Sequence, residues 1–258
     1  MNRETAEKIC ALNARTYDRI ARAFSDTRAR PWDECAPLSG YVKNEMNVLD
    51  VGCGNGRLLI SFPQDLQIQY TGIDTSIELI QRAQELYAND PRQPEFFTRD
   101  VLSLQTIPEI QSRQYDVVSA IAVLHHIPSR EFQTQVLFLM REFLKPGGML
   151  FLTNWNLLQI DARKSVWRHA WERWRMSDGE WQKKYGFSRK ELGFRDGMTT
   201  WKSGSLSEPL YYYSFTLGEL ARLCQSAGFC VREVYYSKKG MRAHWWDGRN
   251  SVVVAQRV

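Results

Sequence analysis

The sequence predicts an α/β protein built on a doubly wound, mostly parallel sheet with helices on both faces. Three observations predict it. Short apolar runs alternate with amphipathic helical stretches across residues 48–154. The run Tyr115–Ile121 is apolar without alternation, as in a strand covered on both faces. The first run, Val48-Leu49-Asp50-Val51, enters Gly52-Cys53-Gly54-Asn55-Gly56, where glycines at alternate positions let the chain turn tightly and a ligand lie against the backbone.

Helical spacing of Ile9, Leu12, Tyr17, Ile20 and Phe24 predicts a helix over about Thr5–Phe24, followed by a polar loop ending at Pro31-Trp32. Val48–Val51 is the first strand, Arg57–Phe62 a short helix, and Gln69–Asp74 a second strand ending in an acid. A helix over Ile77–Ala88 puts Ile77, Leu79, Ile80, Ala83 and Leu86 on its apolar side. Phe96–Arg99 is the third strand, closed by Asp100, and Tyr115–Ile121 the fourth. The helix Phe132–Leu144 leads through the tight turn Lys145–Gly148 to the fifth strand, Met149–Asn154. From Asn156 to Pro209 no strand signal appears. Eleven Lys or Arg face seven Asp or Glu between Asp161 and Glu208, among Trp167, Trp171, Trp174 and Trp181, whose spacing predicts an aromatic-faced helix. Thr216–Ala227 is the last helix, with Thr216 as N-cap and Gly228 just past its end. Phe229–Tyr236 and Ser251–Ala255 pair as a hairpin that completes the sheet.

The chain of 258 residues, 43% hydrophobic, can bury one sizeable core, so residues 1–258 are expected to form one domain. Residues 1–47 would be a helix and loop covering the site, and 156–210 a substrate-recognition or lid insertion. No apolar run approaches the roughly 18 to 20 residues of a bilayer span, and Met1–Lys8 is polar, so no membrane partner and a cytoplasmic location are expected. Cys10, Cys35, Cys53, Cys224 and Cys230 form no C-x-x-C pair, which favours reduced thiols and no bound metal. The net charge of +5 mildly favours a polyanionic partner, although ordinary enzymes share it.

A doubly wound sheet binds its ligand at the carboxyl ends of its strands. Asp50, the turn at Gly52, Gly54, Asn55 and Gly56, and the acids Asp74 and Asp100 therefore converge on one crevice. An acid after strand two is placed to accept from both ribose hydroxyls, and one after strand three from an adenine amine. Acid-x-Gly-x-Gly-x-Gly is not the dinucleotide fingerprint, and it does not hug a pyrophosphate in the same way. A ligand with an amino-acid tail and an adenosine suits these groups: S-adenosylmethionine. Taken singly, each feature has a plainer explanation, a surface turn or a helix N-cap; their joint spacing favours the cofactor.

Residues 48–155 resemble the core of the class I S-adenosylmethionine-dependent methyltransferases, a Rossmann-like fold with seven strands and a reversed final strand. The resemblance implies that Gly52, Gly54 and Gly56 underlie the methionine part, Asp74 takes the ribose, Asp100 and Val101 the adenine, and Ile121 lies near the cofactor, with Thr75 among the cofactor-binding residues. Three stretches are similar to wobble-uridine tRNA carboxymethyl methyltransferases: Tyr17–Ala21 with Phe24–Trp32, Ala120–His126, and Tyr212–Leu220 with Val252–Gln256. That family carries His where this chain has Ser214, and a Trp near the end where this chain reads Asp247-Gly248-Arg249-Asn250-Ser251. The resemblance implies a tRNA anticodon as partner and, from eukaryotic relatives, a small activator subunit.

A carboxylate acceptor is already ionised and needs no general base. Arg28 is then the candidate for orienting it, with Tyr17 and Trp32 shaping the pocket and Tyr212 and Tyr213 stacking on a base. For a hydroxyl or amine acceptor, His125 or His126 would take up the proton. The plainer expectation is that one histidine packs beneath the cofactor and the other forms a hydrogen bond near the surface. The insertion suits single-stranded nucleic acid, or equally a lid on a small-molecule O- or N-methyltransferase. A catalytically silent binding module is the third class, against which the intact glycines and acids argue.

Overall fold

Two apolar strands, β1 (Asn47–Val51) and β2 (Gln69–Asp74), pair in parallel and deliver Val51 and Asp74 to the same sheet edge. The computed structural model describes residues 1–28, 30–106, 110, 112–159, 162 and 170–258, with no side-chain description for 104–106. Outward from β1 on one side lie β2 and β3 (Glu95–Thr98), and on the other β4 (Tyr115–Ile121) and β5 (Leu144–Trp155). Chain reversal then places β10 (Asn250–Arg257) antiparallel between β5 and β8 (Phe229–Lys238). The order is β3-β2-β1-β4-β5-β10-β8-β9, so the expected seven strands gain a short eighth, β9 (Met241–Ala243), at the edge. The turn Lys145–Gly148 bulges out of the β4–β5 ladder, which jumps from Tyr115–Leu144 to Val117–Met149.

Helices cover both faces because their apolar stripes have a sheet to meet. Helix α1 (Arg3–Asp26) is capped by Asn2, whose side chain accepts from the Thr5 amide. A short α2 (Ala36–Ser39) follows, and α3 (Ile77–Leu86) starts at the Ser76 cap. Leu79, Ile80 and Ala83 of α3 are buried, but Ile77 and Leu86, expected on the same face, are exposed. Both stand at the helix ends, beyond the reach of the sheet. Residues 57–61 wind as a 3-10 turn. Helix α4 (Arg130–Phe143) and helix α6 (Leu217–Ser226, capped by Thr216) pack into the larger core with Leu49, Val118 and Leu150.

The insertion departs from the expectation. It holds helical residues 170–175, helix α5 (Asp178–Tyr185, closed by a capping box from Ser177 and Glu180) and a separate antiparallel pair, β6 (Asp196–Ser203) with β7 (Leu206–Tyr213). The strands leave no signal in the sequence because Gly197, Lys202, Ser203 and Pro209 interrupt any alternation. The expected aromatic face is divided: Trp181 is 1% exposed, whereas Trp171 and Trp174 are 56% and 76% exposed. Trp167 lies outside the described residues. Trp181, Tyr185, Phe187, Met198 and Tyr211 pack against Ile9 and Leu12 of α1, so the insertion holds the N-terminal helix in place. Among the described residues no helix is long and apolar enough to cross a membrane.

Candidate active site

A cavity of about 660 Å³ lies at the carboxyl ends of β1, β2, β3 and β4, roofed by α1. The glycine turn forms its floor. Gly52, Gly54 and Gly56 have φ of 70°, 56° and 76°, which side-chain-bearing residues rarely adopt. At Gly52 a Cβ would lie 2.4 Å from Val123, and at Gly56 2.7 Å from the Tyr87 ring, so both are closed by packing. At Gly54 a Cβ would meet nothing nearer than Phe24 at 3.8 Å, so the space above it belongs to the cavity. Gly56 itself does not line the cavity, which places it in the turn rather than beside a ligand.

The acids follow from strand ends. Asp74 accepts from the Gly54 amide at 2.8 Å and the Ser76 amide at 2.9 Å, one on each oxygen, which leaves acceptor capacity for a ligand. Burial raises its pKa. Asp50 is fully buried and accepts from Tyr70 at 2.6 Å and Ser119 at 2.8 Å. Burial pushes its pKa up to about 7 despite those two bonds. Asp100 lies two residues beyond the end of β3 rather than on it, exposed, with Oδ1 accepting from the Leu102 amide at 2.9 Å. Asn55, Thr75, Val101 and Ile121 complete the placement: Asn55, Thr75 and Val101 border the cavity with Asp100, and Ile121 ends β4 at its wall.

Above the floor, α1 brings Tyr17 and Phe24 inward, and the loop after it brings Arg28 and Trp32. Tyr17 Oη lies 3.0 Å from Nε2 of His126, and His126 Nδ1 lies 2.8 Å from the Tyr211 carbonyl. A carbonyl only accepts, so Nδ1 carries the proton and Nε2 accepts from Tyr17. Burial lowers the His126 pKa to about 4 and raises that of Tyr17, so both are neutral at pH 7. Arg28 places its guanidinium 3.8 Å over the Phe24 ring and makes no ion pair among the described residues. Burial lowers its pKa.

Several contributors were missed from sequence. Asn13 donates to the carbonyls of His126 and Tyr211 and accepts from the Tyr211 amide, tying α1 to β7 and the histidine turn. Asp18 accepts from Ser76 at 2.6 Å, fastening α1 over the start of α3. Trp155 packs on both histidine rings at 4.6 and 5.1 Å and lines the cavity. A polar Asn on an otherwise apolar helix face was the signal for Asn13, and Asp18 stands within the Tyr17–Ala21 stretch that carries the resemblance. His125 does not line the cavity; it is buried against Asn154, so the expected histidine near the surface is absent.

Two expected base-stacking residues fall elsewhere. Tyr212 is buried flat over Gly197 of the paired strand, and the Tyr213 hydroxyl donates to Glu219 at 2.6 Å. Neither borders the cavity. Glu219 also takes Arg130 and Arg195, so Tyr213 belongs to a network joining β7 to α6.

The model of the methyltransferase domain family matches residues 17–234. This chain is a class I S-adenosylmethionine-dependent methyltransferase. The tRNA (carboxymethyluridine(34)-5-O)-methyltransferase of Schizosaccharomyces pombe is 28% identical over 236 residues, covering 89% of this chain and 92% of that one. The chain spans a third or less of other, longer curated relatives. Among solved folds, a SAM-dependent methyltransferase from Methanosarcina mazei superposes with a TM-score of 0.61 at 19% identity, covering 86% and 97% of the two chains. A Haloferax volcanii methyltransferase, solved in complex with the Trm112 activator, gives 0.63 at 14% identity, covering 95% and 96%. S-adenosylmethionine is the cofactor of this methyltransferase. The site suits it: open space above Gly54, remaining acceptor capacity on Asp74, and a buried carboxylate, Asp50, that forms no ion pair among the described residues.

Proposed function

We propose that this methyltransferase esterifies the carboxylate of a carboxymethyl-type modified wobble uridine in tRNA. One observation carries the reading: a half-buried arginine, Arg28, reaches the cavity without an ion-pair partner among the described residues. A guanidinium in that state seeks a planar anion, and a carboxylate matches its fork. The Schizosaccharomyces pombe relative supports the same choice across nearly the full length of the chain.

When bound, S-adenosylmethionine supplies an electrophilic methyl group on a sulfonium. What remains for the protein is alignment and exclusion of water. Arg28 holds the acceptor carboxylate, and Tyr17, fixed by its bond to His126, shapes the pocket around it. Phe24, Trp32 and Trp155 supply apolar walls. No proton has to be removed from the acceptor. Exposed Trp171, with Arg175 4.4 Å over its ring, and exposed Trp174 suit contact with unpaired bases better than a lid buried on the sheet. The Haloferax volcanii neighbour supports a small activator subunit as a further partner.

A small-molecule O- or N-methyltransferase is the second reading, favoured by a cavity whose volume suits cofactor and a small acceptor together. Methyl transfer from labelled cofactor to tRNA, removable by mild alkali as an ester, is the expected result. Stable transfer to a purified metabolite, with none to any tRNA, would overturn the tRNA reading.

A further inference from the structure

The β8–β9 hairpin and the loop after it gather exposed aromatic and basic side chains on a segment anchored beside cavity-lining residues. Met241, Trp245 and Trp246 are 69%, 48% and 42% exposed. The rings are ordered by one another: His244 stacks on Trp246 at 4.3 Å and 5° between planes, and Trp245 stands edge-on to it at 5.9 Å. Residues 238–249 hold four Lys or Arg against one acid, Asp247. Lys239 and Arg249 are exposed and make no ion pair among the described residues.

The loop is tied by its own hydrogen bonds. Gly248 and Asp247 donate to the His244 carbonyl, and the His244 amide donates to Asp247. A Cβ at Gly248 would lie 2.7 Å from Tyr236. Its position is set from two sides of the cavity. Asn156, next to the cavity-lining Trp155, donates to the carbonyls of Trp245 and Gly248 at 2.8 Å each. Glu34, two residues beyond cavity-lining Trp32, accepts from the Lys239 amide at 2.9 Å and from Ser237.

We propose that His244, Trp245 and Trp246, with Lys239 and Arg249, form a stacking platform for unpaired nucleotides flanking the methylated base. Two preset rings offer π-faces that any base can stack on, while the two cations meet phosphates. A loop held by these hydrogen bonds has less to order on binding, which lowers the entropy cost of association. The aromatic faces and net positive charge favour single-stranded RNA over an acidic or apolar protein surface, which would match only half of the patch. The proposal rests on the tRNA reading of the active site.

The test compares the full-length protein with Trp245→Ala/Trp246→Ala, using an anticodon stem-loop and a fully paired hairpin of equal length. Affinity for the stem-loop is expected to fall roughly tenfold or more, with little change for the paired hairpin. Trp245→Phe/Trp246→Phe, which keeps the π-faces, is expected to recover most of that affinity. Lys239→Ala/Arg249→Ala is expected to flatten the dependence of log affinity on log salt by about 0.7 for each phosphate no longer neutralised. Cofactor affinity by calorimetry, unchanged in all three variants, shows that the fold is intact. Unchanged stem-loop affinity in the double-alanine variant overturns the platform, even if the wild type methylates tRNA and even if this face captures a protein. If no tRNA is methylated but the variant still binds the stem-loop more weakly, the loop binds single-stranded RNA, while the uridine reading and the platform's place beside a methylated base both fall.

Discussion

The Tyr17 hydroxyl donates to Nε2 of His126 across 3.0 Å, while the other ring nitrogen is committed to the Tyr211 carbonyl. Each partner is thereby fixed in one protonation state. The imidazole is held neutral by burial, and it holds the phenol in place rather than waiting for a proton. A residue of β7 thus sets the tautomer of a residue in the turn after β4, which in turn orients a residue of the N-terminal helix.

From this arrangement, kcat should be flat between about pH 6 and 8, because the His126 pKa is lowered to about 4 and that of Tyr17 is raised. Tyr17→Phe should lower kcat by about tenfold, on the scale of removing one hydrogen bond, and leave cofactor affinity unchanged. A rate profile with a limb near pH 6.5 would show that the histidine acts as a base instead.

The same histidine governs acid stability. Its folded pKa lies below the unfolded value, so its stabilising contribution is complete above about pH 6.5 and is lost as pH falls toward 4. The loss amounts to about 3 kcal/mol for one group. His126→Gln should flatten that part of the stability curve, read by thermal melts between pH 4 and 7.

Arg28 separates acceptor binding from cofactor binding. Arg28→Ala should raise KM for the carboxylate acceptor by about 10- to 100-fold, as expected for one charge-assisted hydrogen bond. Arg28→Lys should recover only part, since an ammonium lacks the fork. The cofactor dissociation constant, measured alone, should not move in either variant.

Asp50 predicts a pH-dependent cofactor affinity. Its folded pKa, about 7, lies above the unfolded value, so its contribution to stability is present below about pH 4 and is lost as pH rises through 7. A cationic ligand favours the ionised carboxylate and displaces its proton. Affinity should therefore fall as pH drops below 7, by up to about tenfold per unit. Asp50→Asn should bind more weakly at pH 8 and show no such slope in calorimetry.

The two glycines of the turn separate fold from function. Gly52→Ala puts a methyl into Val123 at positive φ and should cost about 2 kcal/mol or more of stability. Gly54→Ala meets no such neighbour, so its cost is the φ alone, but its methyl stands in the cavity. Melting temperature should fall more for Gly52→Ala, while weaker cofactor binding at a temperature where both are folded should be evident for Gly54→Ala.

The sequence by itself determined the sheet of β1 to β5, the reversed strand β10, the glycine turn and the positions of Asp50 and Asp74. These features are local: an unbroken apolar run, a backbone conformation open to glycine, an acid at a strand end. It also drew Tyr17, Arg28 and His126 together, through a resemblance rather than through periodicity. Only the tertiary structure decided that Tyr213 serves Glu219, that Tyr212 lies against Gly197, and that Trp181 is buried while Trp171 and Trp174 are not. The pair β6–β7 and the staple through Asn13 were equally hidden. Each depends on which long-range partner a side chain meets, and a tyrosine or tryptophan has the same apolar body and polar tip whether it faces a base, a strand or another helix.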